Sequence, residues 1–375
     1  MVLNVRFWIR LICCIGICVA AIPVGAQLSL QYAEGFRVDY FEGYKVVTVV
    51  VPGTETGETL RYILVQRGSE SPDGFEGVPR IRIPVRTMIT TSTTHLPHIE
   101  KLDEIRSLVA VDNVKFVNSE AVRQRFAEGG ISEVGRGRSI DLERVLVLRP
   151  DVVVIDAPSQ DNAYHSLRQA GVAAVVNAAY AEPTLLGRVE WLKFAGVFFN
   201  KENLAAALFD SIAARYDARK SLTANLQPDR KPTVFVGSQW RGTWFMSGGR
   251  TFAAQLLEDA GANYLWGDNE SRRSLTLDFE SVYEKAHDAD IWITMRNEWQ
   301  SIGNVVAEDE RYGQFKAVET SRVFNANARL NENGGNDYWE TGLIEPDVLL
   351  ADIIKILYPD LQPDHQLKYY RKLDP

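Results

Sequence analysis

Cysteine is nearly missing from this chain. Its three copies, Cys13, Cys14 and Cys18, all fall within the first 18 of 375 residues. Once such a leader is removed, disulfides, thiolate catalysis, cysteine-ligated zinc and iron–sulfur clusters are excluded. Histidine is scarce too, with 5 copies. A receptor for a bare metal ion gathers several His or carboxylate ligands. Here only His95 and His98 stand close together, so no metal site is assigned. His165, His287 and His365 are expected on surface helices or the tail. A basic excess is also lacking, since 41 Lys+Arg face 49 Asp+Glu for a net charge of −8. That balance gives no electrostatic footprint for nucleic acid or an anionic membrane surface. After the leader no apolar run reaches the length of a membrane-spanning helix. No GxSxG, HExxH, Walker A or correctly placed GxGxxG motif occurs. Gly334-Gly335-Asn336-Asp337 has the composition of a catalytic loop, yet no base–nucleophile pair accompanies it. An exported hydrolytic enzyme is therefore the weakest alternative, and the chain is read as a non-enzyme.

What is present begins with an export signal. Arg6 and Arg10 precede an apolar run from Leu11 to about Ala21, and Pro23-Val24-Gly25-Ala26 supplies small residues for cleavage. Residues 1–26 thus read as a secretory signal peptide, and the mature protein is expected in the periplasm or another extracytoplasmic space. An uncleaved N-terminal anchor is the alternative. None of the three cysteines follows a convincing lipobox.

Residues 27–80 read as a strand-rich extension. The β-branched run Tyr44–Val51 ends at Pro52-Gly53, and Leu60–Gln66 is expected to pair with it antiparallel. From residue 81 to 200, short apolar strands alternate with helices, the mark of a parallel α/β sheet covered on both faces. Residues 201–226 form a linker, with one long Ala-rich helix over 201–222 in which Leu204, Leu208, Ile212 and Tyr216 recur at i, i+4 spacing. A second α/β series fills 227–375. The halves echo each other. Asp141-Leu142-Glu143 and Asp278-Phe279-Glu280 each open a short helix that leads to a buried strand.

Several segments, in this order, resemble the substrate-binding proteins of iron-complex (siderophore or haem) and cobalamin ABC importers. They are Ile140–Leu146 with Arg149–Val154, Pro183–Arg188 with Trp191, the long helix, Ala260–Tyr264, Gly335–Trp339 and Pro346-Asp347. The resemblance covers roughly residues 80–360. It implies an α/β fold of two Rossmann-like lobes joined by one long rigid α-helix, with the ligand cleft between the lobes. It implies a monomer that delivers a small-molecule metal complex to an ABC importer permease dimer. One surface Glu on each lobe would dock on the permease, and these map onto Glu143 and Glu280. Residues 27–80 have no counterpart in that pattern.

In such an architecture the cleft is lined by loops after the carboxyl ends of the strands. That rule points to Thr93, Thr94 and His95 in the first lobe. In the second it points to Trp240, Arg241, Trp244, Arg296, Trp299, Tyr338 and Trp339. Aromatic walls bury planar or apolar surface, and Arg pairs with carboxylate or phosphate. The set suits an iron-containing chelate as ligand, without a resident cofactor. A ferric siderophore, a haem or a corrinoid all remain open, followed by a bare metal ion.

Overall fold

The computed structural model describes residues 28–51, 58–136, 139–156 and 163–375. The signal-peptide reading falls outside the described residues.

The extension is more than one hairpin. Strands Phe36–Phe41, Tyr44–Val50, Thr59–Gln66 and Arg80–Ile83 form a four-stranded sheet in that order. The expected antiparallel pair is present, with Val46 opposite Ile63, and the last strand runs parallel to its neighbour. Side chains alternate across the sheet. Val47, Val49, Tyr62 and Leu64 enter the main core, whereas Val46, Ile63 and Val65 form a small cluster on the other face. The amide of Val176 donates to the Tyr62 hydroxyl at 3.1 Å, tying this sheet to the first lobe.

The first lobe is a five-stranded parallel sheet in the order Ala174–Val176, Val152–Ile155, Met88–Thr90, Leu108–Val111, Ser132–Glu133. The chain starts at the central strand and builds outward on both sides, so the carboxyl end of Met88–Thr90 is a topological switch point. The second lobe repeats the plan. Its order is Asn263–Tyr264, Thr233–Val236, Ile291–Thr294, Val323–Asn325, Arg371–Lys372, with only the last strand antiparallel. A separate antiparallel sheet of Gln239–Trp240, Thr243–Ser247 and Ser274–Leu277 stands beside it.

Helix Glu202–Lys220 connects the lobes. Its 19 residues give a rod about 28 Å long at 1.5 Å rise per residue. It holds no Gly or Pro, the usual causes of sharp kinks. It packs on helix Leu185–Phe198 of the first lobe and helix Pro346–Leu357 of the second. The buried stripe is Ala205, Phe209, Ile212, Ala213 and Tyr216, which corrects the expected one, since Leu204 is exposed. Lys45 and Glu202 form a buried ion pair near the start of the helix. At its other end Tyr216 donates to Asp259 at 2.7 Å and Arg215 pairs with Asp347 at 2.8 Å. Helix Leu185–Phe198 is buried nearly all round. Its Glu190 is compensated by Lys193 at 2.7 Å and accepts the amides of Gln31, Tyr32 and Ala33. Among the described residues no helix is long and apolar enough to cross a membrane.

Candidate ligand cleft

Both parallel sheets direct loops from their carboxyl ends into three adjoining hollows. The first, of about 240 Å³, belongs to the first lobe and is lined by Thr90–Thr93, Val111–Asn113 and Phe116. The second, of about 400 Å³, lies between the lobes. Thr93 and Phe116 face Met295, Arg296, Asn297 and Trp339 across it. The third, of about 330 Å³, is apolar and built by the second lobe from Trp240, Phe245, Phe252, Leu256, Tyr338 and Tyr370 among others. Thr93 and Phe116 border the first two, and Met295 and Trp339 border the last two. Hollows of this size suit a bulky small molecule.

The hairpin that presents Trp240 follows from its sequence. Arg241 and Gly242 have φ of 52° and 82°, the left-handed pair that a two-residue hairpin turn requires and Gly tolerates best. Trp240 pairs with Thr243 beside this turn and is left 57% exposed. The guanidinium groups of Arg241 and Arg296 lie 5.7 and 5.6 Å from its ring centre, within cation–π range. Arg296 is neutralised by Glu308 at 2.9 Å and faces Glu298 at 3.6 Å. Trp339 is partly exposed, and the ring of Tyr338 meets it edge-on at 5.0 Å. Tyr338 is buried, with its hydroxyl 3.5 Å from that of Tyr370, and burial pushes it up from the ordinary phenol range. Thr93, Trp240, Arg296, Tyr338 and Trp339 line the hollows.

Five expected residues, Thr94, His95, Arg241, Trp244 and Trp299, line none of these hollows. Trp244 is fully buried and donates its indole N–H to the Val236 carbonyl at 3.0 Å. Trp299 is buried as well and donates to Glu308 at 2.7 Å. Both belong to an aromatic core with Phe235, Trp292, Tyr312 and Phe315. His95 is buried, with Nδ1 2.6 Å from the Thr90 hydroxyl and Nε2 2.9 Å from Asp156. Burial raises Asp156, but the charge and hydrogen bond of His95 and a bond from Ser92 outweigh it and hold the carboxyl below its usual range. His95 thus braces the 90–95 loop. Thr94 helps, its hydroxyl 2.9 Å from that of Ser92. His98 is pushed down to about 3 by burial and by His95, so it stays neutral. Among the described residues no group of three or more His, Cys, Asp or Glu side chains is placed to hold a metal ion. Asp337, in the loop of catalytic composition, is committed to Arg329 at 2.6 Å.

Phe116, Met295 and Phe252 had no place in the expected set. Met295 directly follows strand Ile291–Thr294, so the carboxyl-end rule reaches it. Phe116 lies in a short helical turn, Val114–Phe116, beyond strand Leu108–Val111. Phe252 opens a helix, where an apolar residue reads as core.

Glu143 and Glu280 occupy matching places. Each is the second residue of a helix capped by an Asp side chain, Asp141 in the first lobe and Asp278 in the second, and each is exposed. The helix dipole favours a carboxylate there. Glu280 faces Arg311 at 3.2 Å.

Residues 89–330 match a family described as periplasmic binding protein. A relative from Methanocaldococcus jannaschii, an uncharacterized lipoprotein, is 27% identical over 366 residues, covering 92% of this chain and 86% of that one. An ABC transporter substrate-binding protein from Listeria monocytogenes EGD-e shares the fold with a TM-score of 0.55 at 20% identity, over 73% of this chain and 99% of that one. A periplasmic heme binding protein from Pseudomonas aeruginosa does so with a TM-score of 0.56 at 19% identity, over 73% and 93%.

Proposed function

The chain belongs to the periplasmic binding protein family, and from that premise we propose that it captures an iron-containing chelate, ferric siderophore-like, and delivers it to an ABC importer permease. The observation that carries this reading is the exposed apolar surface around the hollows. Phe116, Trp240, Phe245, Met295 and Trp339 are each at least one-third exposed, and all line the hollows. Side chains of this size gain by burial, at roughly 25 cal/mol per Å². A bulky flat or apolar guest would cover them. Haem or a corrinoid is the second reading. It is favoured by the thioether of Met295 at the junction of two hollows, since a thioether is a soft ligand for such metals, and by the fold shared with a heme binding protein.

Glu143 and Glu280 are the proposed contacts with the permease, one on each lobe, and the receptor acts as a monomer. Two charges on separate lobes fix an orientation that one could not, and rim charges of this kind steer encounter. The place of action is extracytoplasmic.

Native mass spectrometry of the protein purified from its own host, with a visible absorbance spectrum, tests the reading. A one-to-one complex with a coloured iron chelate is expected. A complex with a colourless, metal-free solute would overturn the iron assignment.

A further inference from the structure

Arg188, at the boundary between the lobes, has no acidic partner among the described residues. It lies in the first turn of helix Leu185–Phe198. Its guanidinium carbon sits 3.8 Å from the ring centre of Phe252 in the second lobe. One terminal nitrogen donates to the neutral carbonyl of Tyr180, while Nε is buried with no hydrogen-bond partner. The acid that most influences it, Glu182, is already spent on the amides of Glu34 and Gly35 and the indole of Trp191. Among the described residues no ion pair includes Arg188, whereas Arg296 has Glu308 and Arg329 has Asp337. Arg241 stands exposed at its hairpin tip.

Burial pushes Arg188 down to about 10, against the pull of Tyr338 and Glu182, and it remains charged near neutral pH. A buried cation that lacks a partner is costly, and a bound anion relieves the cost. Phe252 and Tyr338 both line the apolar hollow, and the guanidinium, stacked on the Phe252 ring, stands directly behind that wall. A planar fork with a free donor suits an oxyanion.

We infer that the ligand carries a negatively charged oxygen group at the margin of an apolar body, and that Arg188 binds this group at the edge of the hollow formed by Phe252 and Tyr338. The chemistry is that of a carboxylate, phosphate or catecholate oxygen. The inference rests on the chelate-receptor reading and adds the charge that the chelate must bear.

Calorimetric titration with matched probes tests it. The pairs are haemin and its dimethyl ester, cyanocobalamin and dicyanocobinamide, and an anionic ferric tris-catecholate against a neutral ferric tris-hydroxamate. In at least one pair the member that bears the anionic oxygen group (propionate, phosphate or catecholate), called the anionic member, is expected to bind about tenfold tighter or more. Arg188→Gln should erase that preference and leave the uncharged member within about twofold, while Arg188→Lys, which keeps charge but loses the fork, retains part of it. Thermal melting reports the fold of both variants. If the Gln variant does not fold, Arg188→Lys carries the test by weakening the anionic member alone. Equal affinity of wild type for both members of every pair that binds overturns the inference. So does an equal loss for both members in the variants, which would make Arg188 only a pin between lobes. In both cases the receptor reading survives. Failure of all six probes to bind would overturn that reading, and this inference with it.

Discussion

The carboxylate of Glu340, in the second lobe, accepts the backbone N–H of Ser119, in the first, at 2.7 Å, and that of Asn118 at 2.8 Å. Ser119 caps helix Glu120–Ala127, so Glu340 satisfies amides at a helix start across the lobe boundary. Neighbouring contacts reinforce it. Asn331 donates to the carbonyls of Lys115 and Val117, and Arg123 pairs with Glu332. The lobes are thus held at a second place besides the long helix.

Burial pushes Glu340 up to about 7, helped by Asp337 and Glu100 and opposed by the two amides. A carboxyl raised in the folded state contributes stability that is complete below its unfolded value of about 4.5 and is lost as pH rises through about 7. Glu340→Gln cannot titrate. The melting temperature of wild type minus that of the variant should therefore fall between about pH 5 and pH 8. A constant difference across that window would contradict the assignment.

The tryptophans divide by role. Trp244→Ala or Trp299→Ala should cost about 3–5 kcal/mol of stability, read by denaturant titration, because each leaves a hole in the aromatic core. Trp240→Ala should change stability by less than about 0.5 kcal/mol and weaken chelate binding about tenfold, read by calorimetry. A stability loss in Trp240→Ala as large as in Trp244→Ala would contradict this division.

Permease docking separates from ligand affinity. Charge reversal at Glu143 and Glu280 together should abolish uptake in cells while chelate affinity of the purified protein stays unchanged. Parallel loss of affinity would place these residues in ligand binding instead.

Closure should be small. The rod Glu202–Lys220 contacts both lobes along its length, and the contacts around Glu340 restrain them elsewhere. Solution scattering should show the radius of gyration falling by less than about 1 Å on ligand binding, in contrast to hinge-closing receptors. A contraction of several ångströms would refute a stiff connection.

Particular residues explain what could be read from the sequence. Val152–Ile155 and Ile291–Thr294 are short apolar runs bounded by turn residues, and both are buried strands of the parallel sheets. The two-lobe plan follows from such runs and from one long helix without Gly or Pro. The cleft was harder. Trp240 and Trp244 lie four residues apart around Gly242, and composition treats them alike. Strand alternation separates them, since Trp244 and Met246 are buried and Phe245 is exposed. The fate of Trp299 depends on Glu308, nine positions on, a contact that only tertiary folding creates. The linker stripe misled for a related reason. A helix covered from two sides selects small residues such as Ala205 and Ala213 for close approach, and a pattern of large apolar residues does not register them.

The split between buried and exposed indoles also gives the molecule an optical reporter. Of the seven described tryptophans, Trp191, Trp244, Trp266, Trp292 and Trp299 are sealed, while Trp240 and Trp339 stand at the mouth of the apolar hollow. Sealed indoles emit in the blue and solvated ones further to the red. A guest that absorbs near-ultraviolet light would quench the red component first, so occupancy can be followed by intrinsic fluorescence without a dye.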